Sequence, residues 1–83
     1  MTTTTSITTR LDLKGLSCPL PIIKTAKAMK GLAAGELLEA LATDPGSVSD
    51  FKAWAQSTGN PLLESTQEGG VYRFVLMKKE TMG

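Results

Sequence analysis

Glycine and proline residues divide the chain into short segments, and this division limits the fold more than any other feature. Breaks fall at Gly15, at residues 31–35, at residues 43–46 (TDPG), at residues 59–61 (GNP) and at Gly69-Gly70. Residues of this kind form turns and end helices and strands. Each segment left between the breaks is therefore the length of one ordinary strand or one ordinary helix.

Four of these segments read as strands. Residues 8–13 (TTRLDL) alternate polar and apolar side chains, as a half-buried strand does. Residues 36–42 (ELLEALA) contain good helix formers, but the run is short and has turn residues on both sides, which favours a buried strand. Residues 62–67 and residues 71–79 (VYRFVLMKK) complete the set, and Gly69-Gly70 between them predicts a hairpin turn.

The other two segments read as helices. In residues 19–30 the apolar Ile22, Ile23, Ala26 and Met29 fall at helical spacing.

The second helix is predicted to begin with Asp44 as its N-cap and Pro45 at its first position, and to end near Ser57 before Gly59. Its buried side chains are expected to be Val48, Phe51 and either Ala55 or Trp54.

The element order is thus βαβαββ. Right-handed crossovers place both helices on one face of a single sheet, so the sequence predicts an α/β two-layer sandwich with a four-stranded mixed sheet. The opposite face stays uncovered and is a candidate surface for a partner or for weak self-association. We assign residues 1–9 to a disordered Thr-rich tail, residues 10–80 to one domain and residues 81–83 to a flexible C-terminus.

Composition excludes several classes of function. The chain has no histidine and one cysteine, which excludes Cys–His catalytic pairs and an internal disulfide, and we expect no metal and no cofactor. A net charge of +1 argues against a dedicated nucleic-acid binder. With no membrane-spanning run and no export signal, we expect a cytoplasmic protein that does not enter the membrane.

The single cysteine, Cys18, stands at the start of the first predicted helix. It lies between Ser17 and Pro19, and Pro21 follows two positions later. The first N–H groups of a helix lack partners within it, so prolines lose nothing there. The two prolines are therefore expected to stiffen the turn and fix the direction of the sulfur.

The surroundings of Cys18 favour the thiolate. A helix N-terminus carries a partial positive charge, and thiols near such an end or near lysines have a lowered pKa. Lys14 and Lys24 are the nearest lysines in sequence, and the N–H of Leu20 is a candidate contact for the sulfur. The alternative is that Cys18 is simply a small buried apolar residue.

The inventory limits what a reactive Cys18 can do. Pro21 occupies the position of the second cysteine of a C-x-x-C redox site, and no base is apparent for acyl transfer. What remains is a nucleophilic sulfur that accepts a group and passes it on, as a carrier rather than a turnover enzyme. A non-catalytic interaction or regulatory module, an RNA-binding protein and a peroxide-sensing thiol stay as alternatives.

Four stretches resemble the TusA/SirA-like sulfur-carrier family, over about residues 10–79. They are GLSCPLP (15–21), which holds the C-P-x-P signature, ATDPGS (42–47), GNPL (59–62) and YRFVLMKK (72–79). The resemblance implies the βαβαββ sandwich, similar to the C-terminal domain of a bacterial translation initiation factor. It also implies that Cys18 carries sulfane sulfur as a persulfide.

The resemblance further implies partners. The donor would be a cysteine desulfurase or a rhodanese-like protein, and the acceptor a relay protein with a reactive cysteine. Uses of the sulfur in the family include thiolation of the transfer-RNA wobble uridine, supply of the molybdenum cofactor and dissimilatory sulfur oxidation. Members that thiolate transfer RNA often have arginine at the position of Ser17 and an acidic residue at that of Leu20, whereas CPLP is more similar to the versions in sulfur oxidisers.

Other positions match the family motif. Gly15, Pro19 and Pro21 are expected to position the sulfur, and Asp44 is either an ordinary N-cap or a functional residue. A basic face for docking an acidic partner is also predicted, with a merely solvated helix face as the alternative. Its candidate residues are Lys14, Lys24, Lys27 and Lys30.

Overall fold

The computed structural model describes residues 7–17 and 20–79. Its elements follow the predicted βαβαββ order: β1 (Ile7–Leu13), α1 (Leu20–Met29), β2 (Leu37–Ala42), α2 (Ser47–Thr58), β3 (Leu62–Glu68) and β4 (Val71–Met77).

The boundary between the predicted tail and the first strand lies earlier in the sequence than expected. Strand β1 begins at Ile7, so the last three residues assigned to the Thr-rich tail belong to the sheet. The rest of that tail and the predicted C-terminal segment 81–83 lie outside the described residues.

The four strands form one mixed sheet in the order β1-β2-β4-β3. Strands β1 and β2 are parallel, and β4 runs antiparallel to both of its neighbours. The register pairs Leu13 with Ala42, so the carboxyl ends of the two parallel strands are level at one edge of the sheet. The predicted hairpin turn is confirmed, since Gly69 and Gly70 have φ values of 58° and 80°, as such a tight turn requires.

Both described helices pack on the same face of the sheet, which confirms the predicted two-layer sandwich. Phe51 of α2 stacks on Phe74 of β4 with ring centroids 4.3 Å apart, and neither side chain is exposed. Burial of this kind is the main favourable contribution to folding in a small domain. The core comprises Leu13, Met29, Leu38, Ala40, Ala42, Phe51, Ala55, Phe74 and Leu76.

The buried face of helix α1 does not coincide with its apolar residues. Pro21, Thr25 and Met29 are buried, whereas Ile23 is 54% exposed. These three buried residues are spaced four apart and so lie on one side of the helix. Although Ile23 shares the helical spacing of the apolar residues, it faces solvent, and Thr25 takes a place between α1 and the rest of the fold.

Helix α2 begins later than predicted. Gly46 is its N-cap, with helical φ and ψ and no side-chain cap, and Ser47 is its first residue. The carboxylate of Asp44 accepts a hydrogen bond from the N–H of Gly46 at 3.1 Å, within the turn that precedes the helix. The assignments of Asp44 as N-cap and Pro45 as the first helical residue are thus wrong, because a turn closed by Asp44 comes first. The predicted C-terminal end at Gly59 is confirmed.

The sheet face away from the helices carries a charged network. Glu39 on β2 lies 2.5 Å from Arg73 and 3.3 Å from Arg10, and Arg73 also lies 2.6 Å from Glu64. Hydrogen bonds to Glu39 and then to Glu64 raise the pKa of the Arg73 guanidinium above its usual value. The centre of this sheet face is therefore polar, and its charged side chains form ion pairs with one another.

Neither helix in the described ranges is long and apolar enough to cross a bilayer.

Candidate functional site

The candidate site is the connection between β1 and α1, residues 14–19. The structure describes residues 14–17 and resumes at Leu20, so the predicted thiol Cys18 and the neighbouring Pro19 lie outside the described residues. The connection leaves β1 at the edge where the parallel strands β1 and β2 both end. In open α/β sheets, ligands are commonly bound beyond the carboxyl ends of the parallel strands.

A turn follows β1 directly. The N–H of Lys14 donates to the carboxylate of Asp12 at 3.1 Å, and the N–H of Leu16 donates to the carbonyl of Leu13 at 3.2 Å. Both bonds join residues two or three positions apart. They shape the turn locally without tying it to another part of the fold.

Gly15 provides the link to the neighbouring strand. Its N–H donates to the hydroxyl oxygen of Thr43, the residue after β2, at 2.9 Å. Its φ of 84° lies in the left-handed region, which glycine adopts without the steric cost that a side chain imposes. A glycine here therefore lets the chain turn so that its amide meets Thr43.

A backbone hydrogen bond and a buried proline define the start of α1. The N–H of Leu20 donates to the carbonyl of Ser17 at 2.9 Å, so this amide has a backbone acceptor, and the predicted contact with the sulfur lies outside the described residues. Pro21 is the second residue of the helix and is buried. It fixes the first turn of α1 against the core at a position where proline is tolerated.

Three of the predicted basic residues come together in space. Lys14 from the turn and Lys24 and Lys27 from α1 line one open groove of about 580 Å³, with Asp12 on its β1 side. All three lysines are exposed. Lys30 lies elsewhere, in a smaller cleft beside Trp54. The structure thus forms a surface of net positive charge next to the connection that contains residue 18.

Comparison with known proteins identifies the family of this chain. The family model described as sulfurtransferase TusA matches residues 9–78. The chain belongs to the TusA family. The sulfur carrier protein TusA of Allochromatium vinosum is 50% identical over 68 residues, which cover 82% of this chain and 90% of that protein.

Two further relatives agree with this assignment. The sulfur carrier protein TusA of Pseudomonas putida is 38% identical over 69 residues, covering 83% of this chain and 86% of that protein. The crystal structure of the SirA-like protein from Desulfitobacterium hafniense superposes with a TM-score of 0.76 at 26% identity, covering 87% of this chain and 99% of that one. The resemblance read from the C-P-x-P motif is confirmed, and a sulfur-carrier role for this TusA-family chain is supported.

Sequence reasoning missed two features of the site. Thr43 was not predicted as a site residue because Gly15, to which it is hydrogen-bonded, is 28 positions away in sequence. The pairing of the parallel strands β1 and β2 brings the two residues together. Leu20 and Ile23, 44% and 54% exposed, form an apolar surface on the first turns of α1. Their positions in an apolar helical pattern predict burial, so the sequence offered no signal that they face solvent.

Proposed function

We propose that the protein carries sulfane sulfur as a persulfide on Cys18 and delivers it to a cysteine of an acceptor protein. The observation that carries the proposal is the location of the single thiol of a TusA-family chain. In sequence it falls in the β1–α1 connection, and the segments on both sides of it line one groove with Lys14, Lys24 and Lys27. A thiol at the start of a helix and near lysines is expected to have a lowered pKa, which makes it available as a nucleophile at neutral pH.

The proposed transfer needs no oxidant or reductant. The Cys18 thiolate attacks the outer sulfur of a persulfide on the donor. The S–S bond of the donor breaks, its cysteine leaves as a thiolate, and Cys18 holds the sulfur as S–SH. The same exchange on an acceptor thiolate returns Cys18 to its starting form, so atoms and charge balance over the cycle.

The surface around the connection supports docking of both partners. The basic groove suits an acidic surface, which would speed association, and the exposed side chains of Leu20 and Ile23 offer apolar area at its edge. Gly15, Pro19 and Pro21 would hold the connection in place, and Asp44 would hold the neighbouring turn. We propose a cysteine desulfurase or a rhodanese-like protein as donor, and a cytoplasmic relay protein as acceptor.

Two exposed positions bear on the pathway. At Ser17 and Leu20 the sequence departs from the residues often found in family members that thiolate transfer RNA, and both positions are exposed. Leu20 presents an apolar rather than an acidic side chain there. This argues against transfer-RNA thiolation and leaves sulfur oxidation and molybdenum-cofactor supply as the proposed uses, and a Leu20→Glu variant assayed with acceptors of each type would test the preference.

Intact mass spectrometry tests the proposal. After incubation with a cysteine desulfurase and L-cysteine, the wild-type chain should gain the mass of one sulfur atom, and a thiol reductant should remove it. Cys18→Ser should gain nothing, whereas the matched variant Ser17→Ala should still be loaded. A wild-type chain that stays unmodified, with a donor that loads another TusA-family protein, would refute the proposal.

A non-catalytic interaction module is the second candidate, favoured by the same basic groove. It predicts that Cys18→Ala binds the partner and supports the cellular role as well as the wild type does. Retained binding with loss of the role would exclude it.

A further inference from the structure

We propose that Thr43 is a positioning residue for sulfur transfer, whose hydroxyl holds the β1–α1 connection through the amide of Gly15. This inference rests on the proposed function, since it concerns how the chain presents Cys18.

The hydrogen bond between Gly15 and Thr43 links distant parts of the chain. It joins the connection to the end of β2 across 28 positions of sequence, at 2.9 Å. The other bonds within the described part of the connection join residues two or three positions apart. Local bonds of that kind keep the shape of a turn, whereas the Thr43 bond, together with Leu16 packed against the core, also sets its orientation to the sheet.

Thr43 is itself held firmly. It follows Ala42, a fully buried residue of the core that pairs with Leu13 across the parallel strands. Its side chain is half-buried, and a β-branched side chain has few rotamers. The hydroxyl is therefore a fixed acceptor, placed directly after a central strand and close to the end of β1.

Gly15 is the residue that this hydrogen bond constrains. Its φ is positive, its N–H donates to Thr43, and the space where a side chain would begin is open, with nothing within 4 Å. Packing therefore does not hold the residue in this conformation from that side. The hydrogen bond to Thr43 supplies the constraint that packing does not, three residues before Cys18.

Thr43→Val tests the inference because it removes the hydroxyl and keeps the shape of the side chain. We expect the rate of sulfur loading at neutral pH to fall by about 2-fold to 10-fold, as expected for the loss of one neutral hydrogen bond. The pH midpoint for alkylation of Cys18 should also move upward, towards that of an ordinary thiol. Thr43→Ser, which keeps the hydroxyl, should restore both values to near wild type.

Thr66→Val is the matched control, since Thr66 is exposed on β3 and away from the connection. The charged side chains nearest the connection are Asp12, Lys14, Lys24, Lys27 and Asp44, and none is altered in these variants. A change in the alkylation profile therefore reports on position rather than on charge.

The outcomes separate this inference from the proposed function. If the wild type accepts no sulfur, the proposed function fails. If the wild type is loaded and Thr43→Val shows the same loading rate and pH profile, the positioning role is refuted, even if the variant melts at a lower temperature. Should Thr43→Val not fold, hydrogen exchange in the wild type decides: a protected Gly15 amide supports the inference and a freely exchanging one overturns it.

Discussion

A carboxylate oxygen of Glu39 on β2 accepts a hydrogen bond from Nε of Arg73 on β4 at 2.5 Å, on the sheet face away from the helices. The side chain of Glu39 is 13% exposed and that of Arg73 is 36% exposed. A second hydrogen bond, 2.6 Å from Nη1 of Arg73 to Glu64, extends the pairing to β3. Arg73 therefore joins three adjacent strands through side chains alone.

Arg73→Met should lower the free energy of unfolding by about 1 kcal/mol, because it leaves Glu39 and Glu64 without their shared donor on β4. Urea unfolding measures the loss, and Lys52→Met, at an exposed position on α2, is the control for removal of a positive charge. An equal loss in both variants would show that net charge, and not the pairing, is responsible.

The pH dependence of this contribution follows from the direction of the pKa shift. Because the pKa of Arg73 is raised in the folded protein, its stabilisation is fully present below the ordinary pKa of a guanidinium and is lost only as the pH rises through the folded value. The difference in unfolding free energy between wild type and Arg73→Met should hence stay constant from about pH 7 to about pH 10. A difference that shrinks within this range would contradict the assignment.

Gly15→Ala should destabilise the protein by about 1 kcal/mol through backbone strain, since its φ of 84° is unfavourable for an L side chain. A clash contributes nothing, because the added Cβ meets no atom within 4 Å. Gly31→Ala is the control: its Cβ would make an ordinary contact at 3.6 Å and its φ is not in the strained region. Thermal unfolding should separate the two variants, and equal melting temperatures would argue against strain at Gly15.

Phe51→Leu should cost about 1–3 kcal/mol, because it removes an aromatic ring stacked on Phe74 and leaves a void between α2 and β4. Leu63→Ala, at a side chain that is 49% exposed on β3, should cost clearly less. Chemical denaturation gives both values. A larger loss for Leu63→Ala would place the main core contact elsewhere.

The double variant Lys24→Glu with Lys27→Glu should lower the second-order rate of sulfur loading by about 10-fold at low salt, with a smaller effect at high salt. The reason is the reversed sign of the groove that these residues line with Lys14. Lys52→Glu changes charge on a different surface and should have little effect. If it slows loading as much as the double variant, the groove is not the docking surface.

The types and order of the elements were predictable because their signals are local. Alternation in residues 8–13, the β-branched and aromatic run from Val71, and the turns at Gly59 and Gly69-Gly70 each depend on near neighbours in sequence. Boundaries were less predictable. Asp44 closes a turn before α2 instead of capping the helix. Its carboxylate can accept a hydrogen bond from the amide of Gly46 in both arrangements, so the sequence does not distinguish them.

The sequence by itself determined the βαβαββ order, the two-layer architecture and the place of one thiol after β1, because periodicity and turn chemistry act over a few residues. The tertiary structure alone decided that Thr43 meets Gly15, that Arg73 lies between Glu39 and Glu64, and that Ile23 faces solvent. Contacts between distant residues depend on strand order, register and the rotation of each helix on the sheet, and these are settled only when the whole core packs together.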